Sequence, residues 1–383
     1  MYPSFEFHLP TKIHFGYNKI KQLGNLPFKV KRAFIVTDKG VLNSGLIEHV
    51  TKILNDNRIS YVVYDEVEPD PSVETVDKVA QVFQQEEGDA LIAIGGGSPI
   101  DTAKGVRVIA GNGGSIRDYA GVNLIKQSSN IPLIAIPTTS GTGSEVTMFA
   151  VFSDWEENRK VTVTSPFIAP DLSIVDPKMT MTSPTKITAA SGFDAFAHGA
   201  ESFVSRISQP ASDVLALSAM STVSRYLRRA VYNGEDVEAR IKMAEASLLA
   251  GMAFNQSFLG LTHAIGSAVS GHAHVSHGVA IGLLLPGVIR YNSISLMDKY
   301  VEMASVFRDI DLSLPDWKIT DQLIEEVTRL RDDVGLPQKL QQAGVKEEQL
   351  KAIANDSVKS GMWKFNPRRA TEEEILGLLK QLF

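Results

Sequence analysis

The sequence predicts an N-terminal α/β domain built on a parallel sheet, followed by an all-α C-terminal domain. In the first half, short β-branched apolar runs alternate with segments that repeat apolar residues at helical spacing. This order is typical of parallel strands joined by crossover helices. The runs are apolar throughout, as expected for strands that are buried on both faces. After Asp176-Pro177 the strand-like runs stop, and helical periodicity continues to the C-terminus.

The individual elements follow from the same two periods. The expected strands cover residues 12–15, 32–38, 61–67, 89–95 and 132–137. The expected helices between them cover residues 45–57, 73–87 and 100–110. Ser183-Pro184 is a favourable helix start, with serine as the N-cap and proline in the first helical position. We therefore expect residues 1–182 to form the α/β domain and residues 183–383 to form the helical domain.

Composition excludes several classes of function. Among 383 residues, 38 Lys and Arg stand against 44 Asp and Glu, without a basic stripe that could neutralise a nucleic-acid backbone. There is no cysteine, so any metal must be held by histidine and carboxylate. No signal peptide is evident, and the longest apolar stretch, 278–289, has about 12 residues where a membrane helix needs roughly 20. We expect a cytoplasmic protein with no nucleic-acid or membrane partner.

A glycine-rich segment follows the expected strand at 89–95. Gly95-Gly96-Gly97-Ser98 leads directly into a helix, where backbone N–H groups and the helix dipole can hold a pyrophosphate. The segment matches neither G-x-G-x-x-G nor G-x-x-x-x-G-K-[ST]. A plain tight turn, with Ser98 as N-cap and Asp101 closing a capping box, is the alternative.

Two further features favour a bound dinucleotide. A loop rich in hydroxyl groups and glycine, residues 137–145, follows the next strand and could hydrogen-bond phosphate, ribose or nicotinamide, although such residues also mark solvated turns. Asp38 ends the strand at 32–38, where its carboxylate could accept both hydroxyls of an adenosine ribose and repel a 2′-phosphate, which favours NAD over NADP. A turn-initiating aspartate before Lys39-Gly40 is the alternative.

Histidines are concentrated in the second half. Four of the eight lie within residues 263–277, where even spacing would place about 0.3. Asp194 and His198 lie four apart in a segment of helical period, so both project from one face. One carboxylate with several imidazoles suits Fe²⁺ or Zn²⁺. Hydrogen-bonded core histidines are the alternative, and His272 and His274 could equally be solvent-facing groups.

The motifs Gly-Gly-Gly-Ser-x-x-Asp-x-x-Lys at 95–104, Thr-Thr-x-Gly-Thr-Gly-Ser-Glu at 138–145 and Asp-x-x-x-His at 194–198 occur in this order. With these motifs together, the chain resembles the iron-containing, or group III, alcohol dehydrogenase family over nearly its whole length. The resemblance implies a dehydroquinate synthase-like architecture and a homodimer or larger homo-oligomer. It implies a metal held by Asp194, His198, His263 and His277. It implies cofactor contacts from Asp38, Gly96, Gly97, Ser98, Asp101, Thr138, Thr139, Thr142 and Lys160.

The resemblance also implies a reaction. A small primary alcohol or diol would be oxidised by NAD, or the aldehyde reduced, with Fe²⁺ or possible Zn²⁺ as Lewis acid. Many relatives place a second histidine one turn after the third ligand, where this chain has Ser267. Ser267, the ribose hydroxyls, or His272 or His274 through water would then carry the proton. An apolar substrate pocket would be lined by Phe149, Val151, Phe254, Leu259 and Met362.

Three alternatives stay open at this point. The first is a zinc enzyme similar to glycerol dehydrogenase. The second is a lyase similar to dehydroquinate synthase, which needs a basic pocket that residues 254–289 do not offer. The third is a non-catalytic protein that binds a nucleotide or a metal. Net NADH oxidation with simple aldehydes distinguishes a dehydrogenase from the lyase and from the non-catalytic protein.

Overall fold

The computed structural model describes residues 4–157 and 159–383, which form two compact units. The first is Leu9–Ser183, and the second is Pro184–Phe383 together with residues 4–8. The second unit thus includes an N-terminal segment that the expected boundary at 182 assigns to the α/β domain. The reason is hydrogen bonding, because Gln256 contacts the backbone of His8 and Gln209 donates to the carbonyl of Glu6.

The unit Leu9–Ser183 is the α/β unit. Its strands are β1 Lys12–Phe15, β2 Arg32–Val36, β3 Ser60–Tyr64, β4 Ala90–Gly95, β5 Gly121–Val122, β6 Leu133–Pro137, β7 Phe149–Asp154, β8 Arg159–Thr164 and β9 Leu172–Val175. Its helices are α1 Lys39–Asn43, α2 Leu46–Asp56, α3 Val73–Gln85 and α4 Gly97–Asn112. Short 3₁₀ turns cover Lys19–Gly24, Ile116–Tyr119, Ser144–Val146, Pro166–Ile168 and Pro177–Thr180.

The main sheet has the strand order β1-β9-β6-β4-β2-β3, and all neighbouring pairs are parallel. Alternate side chains face opposite sides, as the period of a strand requires. Leu91 packs in the hydrophobic cluster that contains α3 and α4 residues, and Ile92 packs in the cluster that contains α2 residues. The parallel sheet covered on both faces, predicted from the apolar strands, is confirmed.

A small second sheet differs from the expectation. Strand β7 pairs antiparallel with β8, and β8 pairs parallel with β5. No strand is predicted between residues 137 and 176, because these strands are not continuous apolar runs. On β7, for example, Val151 is exposed while Ala150 and Phe152 are buried. Only alternate residues in this part of the strand face the core, so its sequence is not apolar throughout. Strand β9 has four residues and is too short to stand out.

The second unit is helical. Its helices are α5 Thr185–Val204, α6 Pro210–Tyr232, α7 Val237–Ser257, α8 Leu261–Ala273, α9 His277–Ser293, α10 Met297–Ala304, α11 Asp316–Asp333, α12 Leu350–Lys359 and α13 Glu372–Leu382. Short 3₁₀ turns cover Gln341–Ala343, Glu347–Gln349 and Met362–Phe365. Pro184, rather than Ser183, occupies the N-cap position of α5, so the expected serine cap is wrong by one residue. No helix in the described part of the chain is long and apolar enough to cross a membrane.

Helix α5 is buried on almost every side. Phe193, Phe196 and Phe203 insert into the main core of the helical unit. The same helix buries Asp194 and His198. Burying these polar side chains is costly unless they have partners. A ligand is therefore expected beside the buried face of α5 that carries them.

Candidate functional site

Three helices of the helical unit bring the four predicted metal ligands together. Asp194 and His198 lie one turn apart on α5, His263 lies in the first turn of α8, and His277 is the first residue of α9. Oδ1 of Asp194 is 3.4 Å from Nε2 of His263, 3.8 Å from Nε2 of His198 and 3.9 Å from Nε2 of His277. The ligand atoms of Asp194, His263 and His277 all lie within 4.8 Å of one another. A single carboxylate oxygen therefore faces three imidazole nitrogens.

The residues of this cluster fit a divalent metal ion. Oδ1 of Asp194 and Nε2 of His263 are buried and have no hydrogen-bond partner among the described residues. Buried polar atoms without partners are rare and call for a ligand. A tetrahedral ion with bonds of about 2.1 Å holds its ligand atoms about 3.4 Å apart, which is close to the separations of this cluster. Nitrogen and oxygen ligands are compatible with Fe²⁺ or Zn²⁺.

The electrostatics of the cluster also favour a cation. Burial by itself would raise the pKa of Asp194, but the imidazoles of His198, His263 and His277 hold it well below its usual value. Burial would lower the pKa of His263, whereas its contacts with Asp194 and Glu201 raise it to about 9. The carboxylates of Asp194 and Glu201 therefore favour positive charge beside them, and a divalent ion would supply that charge.

Glu201 is a site residue that the sequence analysis did not identify. Its Oε2 lies 2.7 Å from Nδ1 of His263, and its carboxylate accepts hydrogen bonds from the backbone N–H groups of Gly260 and Thr262 at 2.9 and 2.5 Å. A carboxylate on Nδ1 fixes the tautomer of a histidine and leaves Nε2 free to bind a metal. The signal in the sequence is the spacing of Asp194, His198 and Glu201 at i, i+4 and i+7, which places all three on one face of α5.

The α/β unit places the predicted nucleotide contacts at one edge of the main sheet. Strands β2, β4 and β6 are neighbours, and Asp38, Gly96 and Thr138 follow their carboxyl ends. Ligands of parallel sheets bind beyond this edge. Helix α4 begins at Gly97 with Gly96 as N-cap, and no side chain in the described part of the chain caps it. Its first turn therefore offers backbone N–H groups to an anion.

The glycine turn, residues 95–98, packs directly against the threonine loop, residues 138–142. A Cβ atom at Gly95 would lie 2.4 Å from Cγ of Pro99, which rules out any other residue there. A Cβ atom at Gly96 would lie 3.2 Å from Oγ1 of Thr139, and one at Gly97 would lie 3.1 Å from Cγ2 of Thr142. The backbone of the glycine turn thus lies close to the hydroxyl groups of the threonine loop.

The alternative interpretation of this turn, a capping box formed by Ser98 and Asp101, does not describe the structure. Gly96 is the N-cap, and Ser98 lies within the helix, where its Oγ accepts a hydrogen bond of 3.2 Å from the backbone N–H of Asp70. Asp101 accepts from the hydroxyl of Ser144 through one oxygen and from the N–H of Val151 at 2.9 Å through the other. Both carboxylate oxygens of Asp101 therefore accept hydrogen bonds from the protein itself.

The remaining predicted cofactor contacts have partners of their own. Asp38 is the N-cap of α1, where its Oδ1 accepts from the N–H of Val41 at 2.9 Å, so the turn-initiating alternative describes one of its roles. Nζ of Lys160 lies 2.7 Å from Oδ1 of Asp70 and 3.0 Å from Oγ of Ser153. Contacts within the protein therefore hold the side chains of Asp38 and Lys160 in place.

Comparison with known proteins identifies the family. The family model described as iron-containing alcohol dehydrogenase matches residues 10–177. The model described as the C-terminal region of the Fe-containing alcohol dehydrogenase family matches residues 188–383. The chain belongs to the iron-containing alcohol dehydrogenase family. The predicted resemblance is confirmed, and with it the prediction of a metal-dependent alcohol dehydrogenase.

Relatives of this dehydrogenase family match the chain from end to end. The chain is 35% identical over 376 residues to an NAD-dependent methanol dehydrogenase of Bacillus methanolicus, covering 98% of each sequence. It is 36% identical over 386 residues to a 1,3-propanediol dehydrogenase of Klebsiella pneumoniae, covering 100% of each. A crystal structure of 1,3-propanediol oxidoreductase superposes with a TM-score of 0.94 at 36% identity, covering 100% of both chains. The predicted architecture is confirmed by this similarity.

The residues predicted to transfer the proton in this alcohol dehydrogenase lie on α8 or at its end. Ser267 lies on α8 one turn after His263. Nε2 of His272 lies 2.6 Å from Oδ2 of Asp356 on α12, so that imidazole is tied to a carboxylate. His274 is the C-cap of α8 in the left-handed conformation. The proton route stays a prediction.

The predicted substrate-pocket residues fall in both units of the enzyme. Phe254, at the end of α7, stacks on the ring of His198 with a centroid distance of 4.4 Å, so it covers one face of a predicted ligand. Leu259 and Met362 are half-buried in the helical unit. Phe149 and Val151 lie on β7 of the α/β unit. Their common role as a pocket lining stays a prediction.

Proposed function

We propose that this chain catalyses the reversible oxidation of a small primary alcohol or diol by NAD, and the reverse reduction of the aldehyde. The observation that carries the proposal is the buried Oδ1 of Asp194 within 3.4 to 3.9 Å of three imidazole nitrogens. No cysteine is present as a nucleophile. Hydride transfer needs no protein nucleophile, because the nicotinamide carries the hydride.

The metal site is formed by residues of the helical unit. One divalent ion would be held by Asp194, His198, His263 and His277. We propose Fe²⁺ in preference to Zn²⁺ because the chain belongs to the iron-containing alcohol dehydrogenase family. When bound, the ion would act as a Lewis acid toward the substrate oxygen and lower the pKa of the alcohol. Glu201 would orient His263, because its carboxylate lies 2.7 Å from Nδ1 and would leave Nε2 as the nitrogen that binds the metal.

The cofactor site is formed by residues of the α/β unit. The first turn of α4 and the glycine turn would hold the pyrophosphate of NAD. Thr138, Thr139 and Thr142 would offer hydroxyl groups to the ribose, the phosphate or the nicotinamide amide. Asp38 would accept from the adenosine ribose hydroxyls and repel a 2′-phosphate, so NAD is preferred over NADP. The NAD-dependent methanol dehydrogenase among the relatives supports this choice.

The substrate is proposed to be short and largely apolar. The relatives named for methanol and 1,3-propanediol support a small alcohol or diol. Phe254 covers His198, and with Leu259 and Met362 it would keep water from the reacting carbon. A homodimer or larger homo-oligomer and a cytoplasmic location stay predictions from the sequence.

The experiment that tests this function is a substrate and cofactor panel. The chain is purified anaerobically and assayed with short aldehydes, diols and hydroxyacids in the presence of NADH or NADPH. We expect net NADH oxidation with short aldehydes, and a kcat/KM at least about tenfold lower with NADPH, since placing like charges together costs several kcal/mol and about 1.4 kcal/mol already corresponds to a tenfold change. No turnover with any compound, despite bound metal and bound NADH, would contradict the proposal.

A further inference from the structure

Lys104 is a charged residue that the proposed function does not use, although it is completely buried. It lies on α4, two turns after the glycine turn. Burying a lysine is costly, and the cost is repaid only when hydrogen bonds and an opposite charge compensate it. Burial lowers the pKa of Lys104 to about 8. A residue retained at such a cost needs a function in the fold or in the site.

The contacts of Lys104 are specific. Its Nζ donates to Oγ of Ser144 at 2.9 Å, to Oγ1 of Thr147 at 3.1 Å and to the backbone carbonyl of Phe149 at 2.5 Å. An ammonium group has three donors, and all three are used. The contacts reach from the segment that follows the threonine loop to the first residue of β7.

Asp101 completes the connection one turn earlier on α4. Its Oδ1 lies 3.6 Å from Nζ of Lys104 and accepts from the hydroxyl of Ser144, while its Oδ2 accepts from the N–H of Val151 at 2.9 Å. Glu145, a further acidic residue near Lys104, is buried as well. One ion pair on α4 therefore binds both ends of the segment 144–151.

We infer that Lys104, together with Asp101, is a positioning residue that fixes Ser144 and strand β7 to the helix that begins at the glycine turn, and that Ser144 in turn holds the end of the threonine loop, because its N–H donates to Oγ1 of Thr142 at 3.3 Å. The two groups proposed to contact the cofactor, the glycine turn and the threonine loop, are then fixed relative to each other by a buried charge. The inference rests on the proposed function, because it requires that these groups bind NADH. Because Lys104 is completely buried, we infer that it acts on the cofactor site through Ser144, Thr147 and Phe149.

The test compares NADH affinity with stability. Lys104→Met keeps the length of the side chain and removes its three donors, and we expect the dissociation constant for NADH to rise about tenfold or more. Lys126→Met, at an exposed lysine of the same unit, is the matched control and is expected to bind NADH as the unaltered chain does. Affinity is measured by fluorescence titration, and Tm is measured on the same samples.

The double variant Lys104→Met/Asp101→Asn separates positioning from stability. It leaves neither member of the ion pair charged, so Tm is expected to recover relative to Lys104→Met. NADH affinity is expected to stay low, because the donations to Ser144, Thr147 and Phe149 are still missing. Recovery of NADH affinity together with Tm would overturn the inference, since the role of Lys104 would then be structural only.

Thr147→Val is a milder variant that keeps both charges and removes one acceptor of Lys104. We expect a rise of about threefold to tenfold in the NADH dissociation constant, so the inference can be tested even where Lys104→Met does not fold. Unchanged NADH affinity in Thr147→Val and in a folded Lys104→Met would refute it. Failure of the unaltered chain to bind NADH would instead refute the proposed function, so the two failures are distinguishable.

Discussion

Nδ1 of His263 lies 2.7 Å from Oε2 of Glu201, and both side chains are buried in the helical unit. The same carboxylate accepts backbone N–H groups at the start of α8, the helix that carries His263. One acidic side chain on α5 therefore orients a proposed ligand and fixes the helix on which the ligand lies. This contact links two helices that carry proposed metal ligands.

Glu201→Gln is expected to weaken metal binding. The amide still accepts hydrogen bonds but carries no charge to favour protonation of Nδ1, and changes of this kind typically cost 10-fold to 100-fold in metal affinity, to order of magnitude about 1 to 3 kcal/mol. Competition with a chelator, followed by elemental analysis, measures the affinity. Glu302→Gln, at an exposed acid of α10, is the control. Equal metal affinity in the two variants would show that Glu201 does not support the ligand.

Asp38→Asn is expected to relax the preference for NADH. The amide oxygen can still accept the N–H of Val41, so the cap of α1 is kept, while the charge that would repel a 2′-phosphate is removed. The ratio of kcat/KM for NADH to that for NADPH should fall about tenfold. Asp56→Asn, at an exposed aspartate near the end of α2, serves for comparison. An unchanged ratio would mean that Asp38 does not contact the adenosine ribose.

Ser267→Ala tests the predicted proton route. If the hydroxyl of Ser267 carries the proton, its removal should lower kcat about tenfold or more and change the pH profile of turnover. Ser305→Ala, at an exposed serine, should change neither. His272→Ala and His274→Ala follow in the same assay. If kcat and the pH profile are the same in all of these variants, a relay through these side chains is excluded, and the ribose hydroxyls remain.

Glu145→Gln is expected to change how stability depends on pH. Burial raises the pKa of Glu145 from 4.5 to about 7 in the folded chain. The folded state therefore binds this proton more tightly than the unfolded state, and stability falls as pH rises from about 4.5 to about 7. Glutamine does not ionise, so the variant lacks this fall.

The measurement for Glu145 is Tm as a function of pH. Relative to the unaltered chain, the Tm of Glu145→Gln should increase between pH 5 and pH 8. The corresponding change in the free energy of unfolding is at most roughly 2 to 3 kcal/mol. Glu48→Gln, at an exposed glutamate of α2, is the matched control. Parallel Tm curves for Glu145→Gln and the unaltered chain would contradict the expectation.

The sequence indicates the proposed ligands more clearly than the residue that supports them. Aspartate four residues before a histidine, within an apolar helix, is an unusual pattern, and it identifies Asp194 and His198. Glu201 looks like any acid on a helix, because nothing in the sequence states that α8 begins opposite α5. Its role becomes visible only when the N–H groups of residues 260 and 262 are placed beside it.

A similar limit applies to the α/β unit. The buried strands of the main sheet are continuous apolar runs and are predicted, whereas β7 and β8 carry apolar residues on one face and are missed. The hydrogen bonds of Ser98 and Asp101 reach residues 28 and 50 positions away. A capping box is a local pattern, and long-range contacts of this kind override it.

The most direct test of the account is the metal content and activity of the anaerobically purified chain beside Asp194→Ala and His263→Ala. We expect about one divalent ion per chain, loss of NADH-linked aldehyde reduction on chelation, and recovery on addition of Fe²⁺. Both variants should contain no metal and still bind NADH, because the proposed cofactor residues lie in the other unit. Full activity in metal-free protein, or in Asp194→Ala, would contradict the account.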